Sequence, residues 1–138
     1  MDDELEPTTD PVDEPDNESA EDAPTILNEI KQMLGIVPET TEFDIDILSS
    51  INSAFFTLHQ LGIGGSTAFY IEPNSVWADL QTTINHTIIR DYLYLKTKVV
   101  FDPPSSSSVA EAYKNRISEL EFRMNIEVDN GGGIVNDG

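Results

Sequence analysis

The chain has 138 residues, a length that favours one compact domain, and it sets 26 Asp and Glu against 7 Lys and Arg for a formal charge of −19. That balance excludes a module whose main work is gripping nucleic-acid phosphates through counterion release. Without cysteine there is no disulfide framework, thiol nucleophile or CxxC pair; the acidic N-terminus lacks the apolar stretch of a signal peptide, and no apolar run approaches the ~20 residues of a membrane helix.

Residues 1–24 hold eleven acids and four prolines with no base. Leu5 and Val12 bury too little surface to offset the entropy of ordering, and like charges repel, so this segment is expected to be a disordered acidic arm. Two readings of it stay open: a solubilising tail, or an arm that docks on a basic partner or mimics nucleic acid. Residues 25–128 read as one helical domain. Residues 129–138, where Gly131, Gly132 and Gly133 precede Ile134 and Val135, read as a flexible tail.

The first helix is announced by Pro24 and by Thr25 as N-cap, carries Ile26, Ile30 and Leu34 at i, i+4, i+8, and ends at Gly35. A second helix is expected from near Thr41, where Thr41 and Asp44 approximate a capping box and Glu42, Asp44 and Asp46 suit the positive end of the dipole. Ile45, Leu48, Ile51, Phe55, Leu58 and Leu61 recur every three or four residues up to Gly62, the pattern of one buried stripe.

The glycines and Pro73 of residues 62–76 break the helix and predict a long loop with a brief extended segment at Phe69 to Ile71. A third helix is expected to open near Ser75 and Trp77 and to run, with a kink, to Phe101. Its β-branched residues from Thr82 to Ile89 suggest a strand, but periodicity decides for a helix. At ~100° per residue, Ile84, Ile88, Tyr92, Leu95 and Val99 form one stripe and Ile89, Leu93 and Val100 a second beside it. Two apolar stripes predict a central helix that touches more than one neighbour. Asp102, Pro103 and Pro104 stop it.

Ser108 and Glu111 predict a capping box at the start of a fourth helix. Val109, Tyr113, Ile117, Leu120 and Met124 supply its core stripe, with Glu119 and Arg123 as a surface pair. Phe122 falls on the opposite side, and Tyr94 and Phe101 fall on the polar face of the third helix. Single exposed aromatics are commonplace; three on adjacent helices predict a subunit interface. The fold class expected is therefore all-α, a small four-helix bundle with a long loop between its second and third helices and flexible termini.

Catalytic chemistry is nearly absent. His59 and His86 stand in different helices without the spacing that puts two ligands on one face. Asp44 and Asp46 lack the further oxygen ligands and tight glycine turn of a calcium loop. Gly62, Gly64 and Gly65 follow a helix rather than a strand and make a poor phosphate cradle. The sequon Asn85–His86–Thr87 lies inside a predicted helix and reads as accidental; Ser105 to Ser108 have no nucleophile elbow. No enzyme, metal or cofactor is expected.

In order along the chain, ILNEIKQMLGI, TEFDIDILSSINSAFFTLHQLGIG, VWADL, RDYLYLKTKVVFDPPSSSS and ISELEFRMN resemble the head-tail connector (adaptor or head-completion) proteins of long-tailed bacteriophages. The resemblance covers Ile26 to Asn125 and leaves out the acidic arm and the Gly-rich tail. It implies a structural virion protein, assembled in the host cytoplasm as a homo-oligomeric ring, typically a dodecamer, beneath the portal protein at the capsid vertex. Such a ring extends the channel through which double-stranded DNA passes without specific binding, and docks a stopper or tail-completion protein. A net negative wall, which repels phosphates, agrees with that role. On this reading Tyr94, Phe101 and Phe122 meet neighbouring subunits and Phe69 and Tyr70 meet a neighbour or the stopper. The C-terminal segment, with Ile126, Val128, Ile134 and Val135, anchors to the portal. The rival from another class is a monomeric acidic helical module, a DNA mimic or binding protein acting through residues 1–24. A connector tolerates loss of those residues and fails without the residues after Asn125; a mimic does the reverse.

Overall fold

The computed structural model describes residues 24–63, 68–80 and 82–128. Residues 1–23 of the acidic arm and the tail containing Ile134 and Val135 lie outside them. Within the described residues there are four α-helices and no strand: α1 (Ile26–Met33), α2 (Asp44–Gln60), α3 (His86–Phe101) and α4 (Ser107–Val128), with a 3-10 turn at Trp77–Asp79. This is the all-α bundle expected, and the loop between α2 and α3 is long.

The ends of the first two helices follow the local sequence. Thr25 Oγ1 accepts from the Asn28 amide at 3.0 Å, a hydroxyl cap on one of the free first-turn N–H groups. Gly35 (φ 84°) and Gly62 (φ 83°) close α1 and α2 in the left-handed conformation that a side chain disfavours. Beyond each glycine the chain folds back: Ile36 N donates to Lys31 O at 2.8 Å and Ile63 N to Leu58 O at 2.9 Å. Ile63 is thereby buried against the core.

α3 is the central helix. It packs on α1, α2 and α4, and Ile89, Tyr92, Leu93, Leu95 and Thr97 are all buried, as two adjoining apolar stripes require. Ile47, Ile51, Ala54, Phe55 and Leu58 of α2 cover one side of it and Leu120 and Met124 of α4 another. Asp102, which precedes Pro103, leaves the helical region (φ −145°, ψ 68°), because the proline ring crowds the residue before it.

Four expectations are corrected. First, the third helix does not open at Trp77. Thr82 Oγ1 accepts from Ile84 N at 3.1 Å, a local bond that competes with helix, and α3 starts only where Asn85 Oδ1 accepts from Thr87 N at 2.7 Å. The sequon Asn85 is thus a helix cap at the start of α3, not a residue inside it. Second, α2 has no side-chain cap. Asp44 turns away to Lys31, whose fully buried Nζ lies 2.8 Å from Asp44 Oδ1 and donates to Pro38 O at 3.0 Å. Third, the cap of α4 is Ser106, whose Oγ accepts from Val109 N at 3.4 Å, so Ser108 lies inside the helix. Fourth, Ile45 is 82 % exposed and Leu61 is exposed too, because the buried stripe of α2 is centred on Ile47, Ile51 and Leu58. Val100 is likewise exposed, in the last turn of α3.

Candidate interaction surface

Two surfaces are left apolar and open. On α2, Ile45, Leu48, Asn52 and Phe56 share a flank beside the buried stripe and line, with Tyr70 from the following loop, a groove of about 660 Å³. Asn52 builds one wall. Its amide clamps the loop backbone, Oδ1 accepting from Ile71 N at 2.9 Å and Nδ2 donating to Ile71 O at 3.1 Å. Both backbone groups of Ile71 are thereby satisfied while its side chain is buried. Phe69 packs edge-on against Phe55, with centroids 5.6 Å apart. Alternation along this extended stretch then turns Tyr70 outward, 75 % exposed. Of the two loop aromatics, Tyr70 is available and Phe69 is half-buried against the subunit's own core.

The second surface is the far half of the α3–α4 hairpin. α4 runs 22 residues, ~33 Å at 1.5 Å per residue, but only Leu120 and Met124 are fully buried on it. Its first residues, 107–112 with Val109 among them, are exposed, and Tyr113 is the first along the helix to pack on the core. Between the helices lies a cleft of about 480 Å³ lined by Lys96, Val99, Pro103, Lys114, Ile117 and Glu121 among others. At its inner end the Tyr92 hydroxyl donates to Glu121 Oε2 at 2.8 Å. Burial, and then the bond to Glu121 and its negative charge, raise the Tyr92 pKa well above its ordinary value. Near the outer end Lys98 Nζ donates to Asp102 Oδ2 at 2.9 Å, and that hydrogen bond raises the lysine pKa. The expected Glu119–Arg123 pair is present at 3.8 Å, with Arg116 at 3.1 Å from the same carboxylate.

The three aromatics chosen from sequence separate here. Phe122 is 65 % exposed on α4. Phe101 is half-buried, edge-on to Phe43 with centroids 5.2 Å apart, and Tyr94 is half-buried against the core. Both therefore face their own subunit more than their positions on a helical wheel imply, because Phe43, just ahead of α2, covers that side of α3. Ile126 and Val128 belong to the last turn of α4 rather than to a tail, and Val128 packs on the core. Phe56, 54 % exposed, was missed in the sequence, where its neighbour Phe55 is the core residue. The signal is a second apolar set, Ile45, Leu48 and Phe56, turned from the first.

One polar cluster stands apart. Trp77 Nε1 donates to Glu29 Oε1 at 2.6 Å, and Arg90 Nη1 lies 3.4 Å from Glu29 Oε2. His86 lies against the Trp77 ring, centroids 5.7 Å apart. These contacts staple the 3-10 turn and α3 to α1. His59 stands in α2, away from His86 in α3, with Nδ1 buried and without a hydrogen-bond partner. Among the described residues no three His, Asp or Glu side chains gather to hold a metal, and no described helix is long and apolar enough to cross a membrane.

Comparison with curated proteins and with solved structures returns no match. The family model described as phage connector protein matches residues 26–131, nearly all of the helical domain and none of the acidic arm. Three helices packed around a central α3 and a family match running from α1 past the end of α4 give one conclusion. The chain belongs to the phage connector protein family, structural proteins that join the phage head to its tail.

Proposed function

We propose that this protein assembles as a homo-oligomeric ring, a dodecamer by family resemblance, beneath the portal in the neck of the virion. There it extends the DNA channel and docks the stopper or tail-completion protein. The observation that carries this reading is the connector-family match across residues 26–131. A closed ring needs two different sticky faces on each subunit, and exposed apolar side chains on α2 (Ile45, Phe56) and α4 (Phe122) supply candidates for them. Phe122 is the centre of the subunit contact, with Tyr94 and Phe101 at its margin; Phe69 and Tyr70 reach a neighbour or the stopper. Ile126, Val128, Ile134 and Val135 carry the portal contact. The chain divides into the acidic arm 1–24, the connector domain 25–128 and the tail 129–138. Its formal charge of −19 favours a wall along which DNA slides without binding.

The test is co-sedimentation with capsids that carry portal but lack a neck, using the full chain and a chain ending at Asn125. Stoichiometric binding by the full chain, at least tenfold weaker without residues 126–138, is expected. Absence of binding by the full chain refutes the adaptor role; equal binding by both moves the portal contact out of residues 126–138.

A further inference from the structure

The charge of this chain is segregated. Residues 94–118, the far half of the α3–α4 hairpin, carry four bases and two acids within a protein of net charge −19. Among the described residues Lys31, Arg90, Lys98, Arg116 and Arg123 each have a carboxylate within 4 Å. The two remaining bases of the chain's seven, Lys96 and Lys114, have none among the described residues, and both line the α3–α4 cleft. Glu121, the carboxylate in the same lining, is engaged by the Tyr92 hydroxyl. Lys96 Nζ sits 5.9 Å from the Tyr92 ring centroid, with its ammonium held at the aromatic face. Val99, Pro103 and Ile117 give the cleft an apolar wall between the two lysines' helices. A groove with two ammonium groups and an apolar wall suits an extended acidic segment with scattered apolar side chains.

We propose that the occupant is the chain's own residues 1–24, seated in the α3–α4 cleft with carboxylates on Lys96 and Lys114 and Leu5 or Val12 against the apolar wall. The arm supplies eleven acids, no base and few apolar residues. Its reach is ample. The described chain begins beside Thr25, at the start of α1, and α1 is tied to Arg90 of α3 through Glu29. Lys96 lies ~9 Å further along α3 at 1.5 Å per residue, whereas 24 residues extend to ~80 Å. Tethering makes the contact intramolecular, at an effective concentration on the order of millimolar, which lets two exposed charge pairs of modest strength hold it. The arm then covers the basic, apolar end of the hairpin in the free subunit, and a partner that needs this end must displace it.

The absence of cysteine makes the test direct. A nitroxide on Asn17→Cys, in the full-length protein, reports by paramagnetic broadening which backbone amides the arm visits. Broadening concentrated on residues 96–99 and 114–118 is expected, at least fivefold stronger than on the outer face of α2. It is expected to fall at least fivefold in Lys96→Glu/Lys114→Glu and in ~1 M salt, where the screening length is ~3 Å. The double variant's thermal midpoint checks that the bundle is intact. Even broadening over the surface, a maximum at the α2 groove, or a pattern indifferent to the lysines and to salt overturns the proposal. So does broadening that appears only when spin-labelled and isotope-labelled copies are mixed, which gives the cleft to a second copy.

Discussion

The two ends of the α3–α4 hairpin are built from the same pair of helices and serve different masters. At the inner end Ile89, Leu93, Leu120 and Met124 are buried among residues of α1 and α2. At the outer end Val100, 70 % exposed, and Val109 look into solvent beside a cleft with two lysines that have no carboxylate partner among the described residues. Apolar residues recur at helical spacing along both halves. The difference is what stands behind them: α1 and α2 back the inner half throughout, whereas at the outer end Phe101 and Tyr113 still reach the core and Val100 and Val109 turn away from it. Amphipathicity therefore marks a surface that will be covered without saying whether the subunit or a partner covers it.

Substitutions that grade from one end to the other sharpen this contrast. Leu93→Ala, at the fully buried centre, is expected to cost about 2–5 kcal/mol through lost transfer energy and a cavity, lowering the thermal midpoint by roughly 10 °C or more. A drop of only a degree or two by calorimetry means that the inner half is not the core.

Tyr92→Phe, at the boundary, is expected to cost about 1 kcal/mol in urea unfolding near pH 8, the loss of one hydrogen bond to a carboxylate. Its pH signature is more telling. The folded pKa of Tyr92 is raised above the unfolded value of about 10, so its contribution is fully present below pH 10 and is lost as pH climbs beyond it. The variant should lose less stability between pH 9 and 11 than the parent. Parallel alkaline curves show that Glu121 and burial do not hold that proton.

Val100→Ser, at the outer end, is expected to change the unfolding free energy by no more than about 0.5 kcal/mol, since little surface there is removed from water in the subunit. A loss above 1 kcal/mol in monomer unfolding breaks the contrast, because it means Val100 already packs on something within the chain.

Much of the fold was legible in sequence because it is set locally. Thr25 and Gly35 bracket α1, Gly62 ends α2 and Pro103 stops α3, each through the backbone freedom or hydrogen bonding of one residue and its near neighbours. The family resemblance was legible for the same reason, since it rests on an ordered run of such segments. Where two local signals competed, sequence reading failed: the residues from Trp77 to Ile84 have helical spacing, yet the Thr82 bond and the Asn85 cap delay α3 to His86.

The interaction surface was less legible because exposure is a property of distant packing. Phe122 was rightly placed outside the core, but Phe101 and Tyr94 were not, since Phe43 and its surroundings are far away in sequence. Ile45 repeats at core spacing and is nonetheless 82 % exposed, because only the rotation of α2 against α3 decides which of its two apolar flanks is covered. The sequence by itself determined four amphipathic helices, most of their stops, the charge asymmetry and the connector family. Tertiary structure alone decided which apolar faces α3 absorbs, that Lys31 is buried beside Asp44, and that Lys96 and Lys114 share one cleft. The physical reason is range: caps and periodicity act within a few residues, whereas burial and charge pairing depend on which helices are brought together.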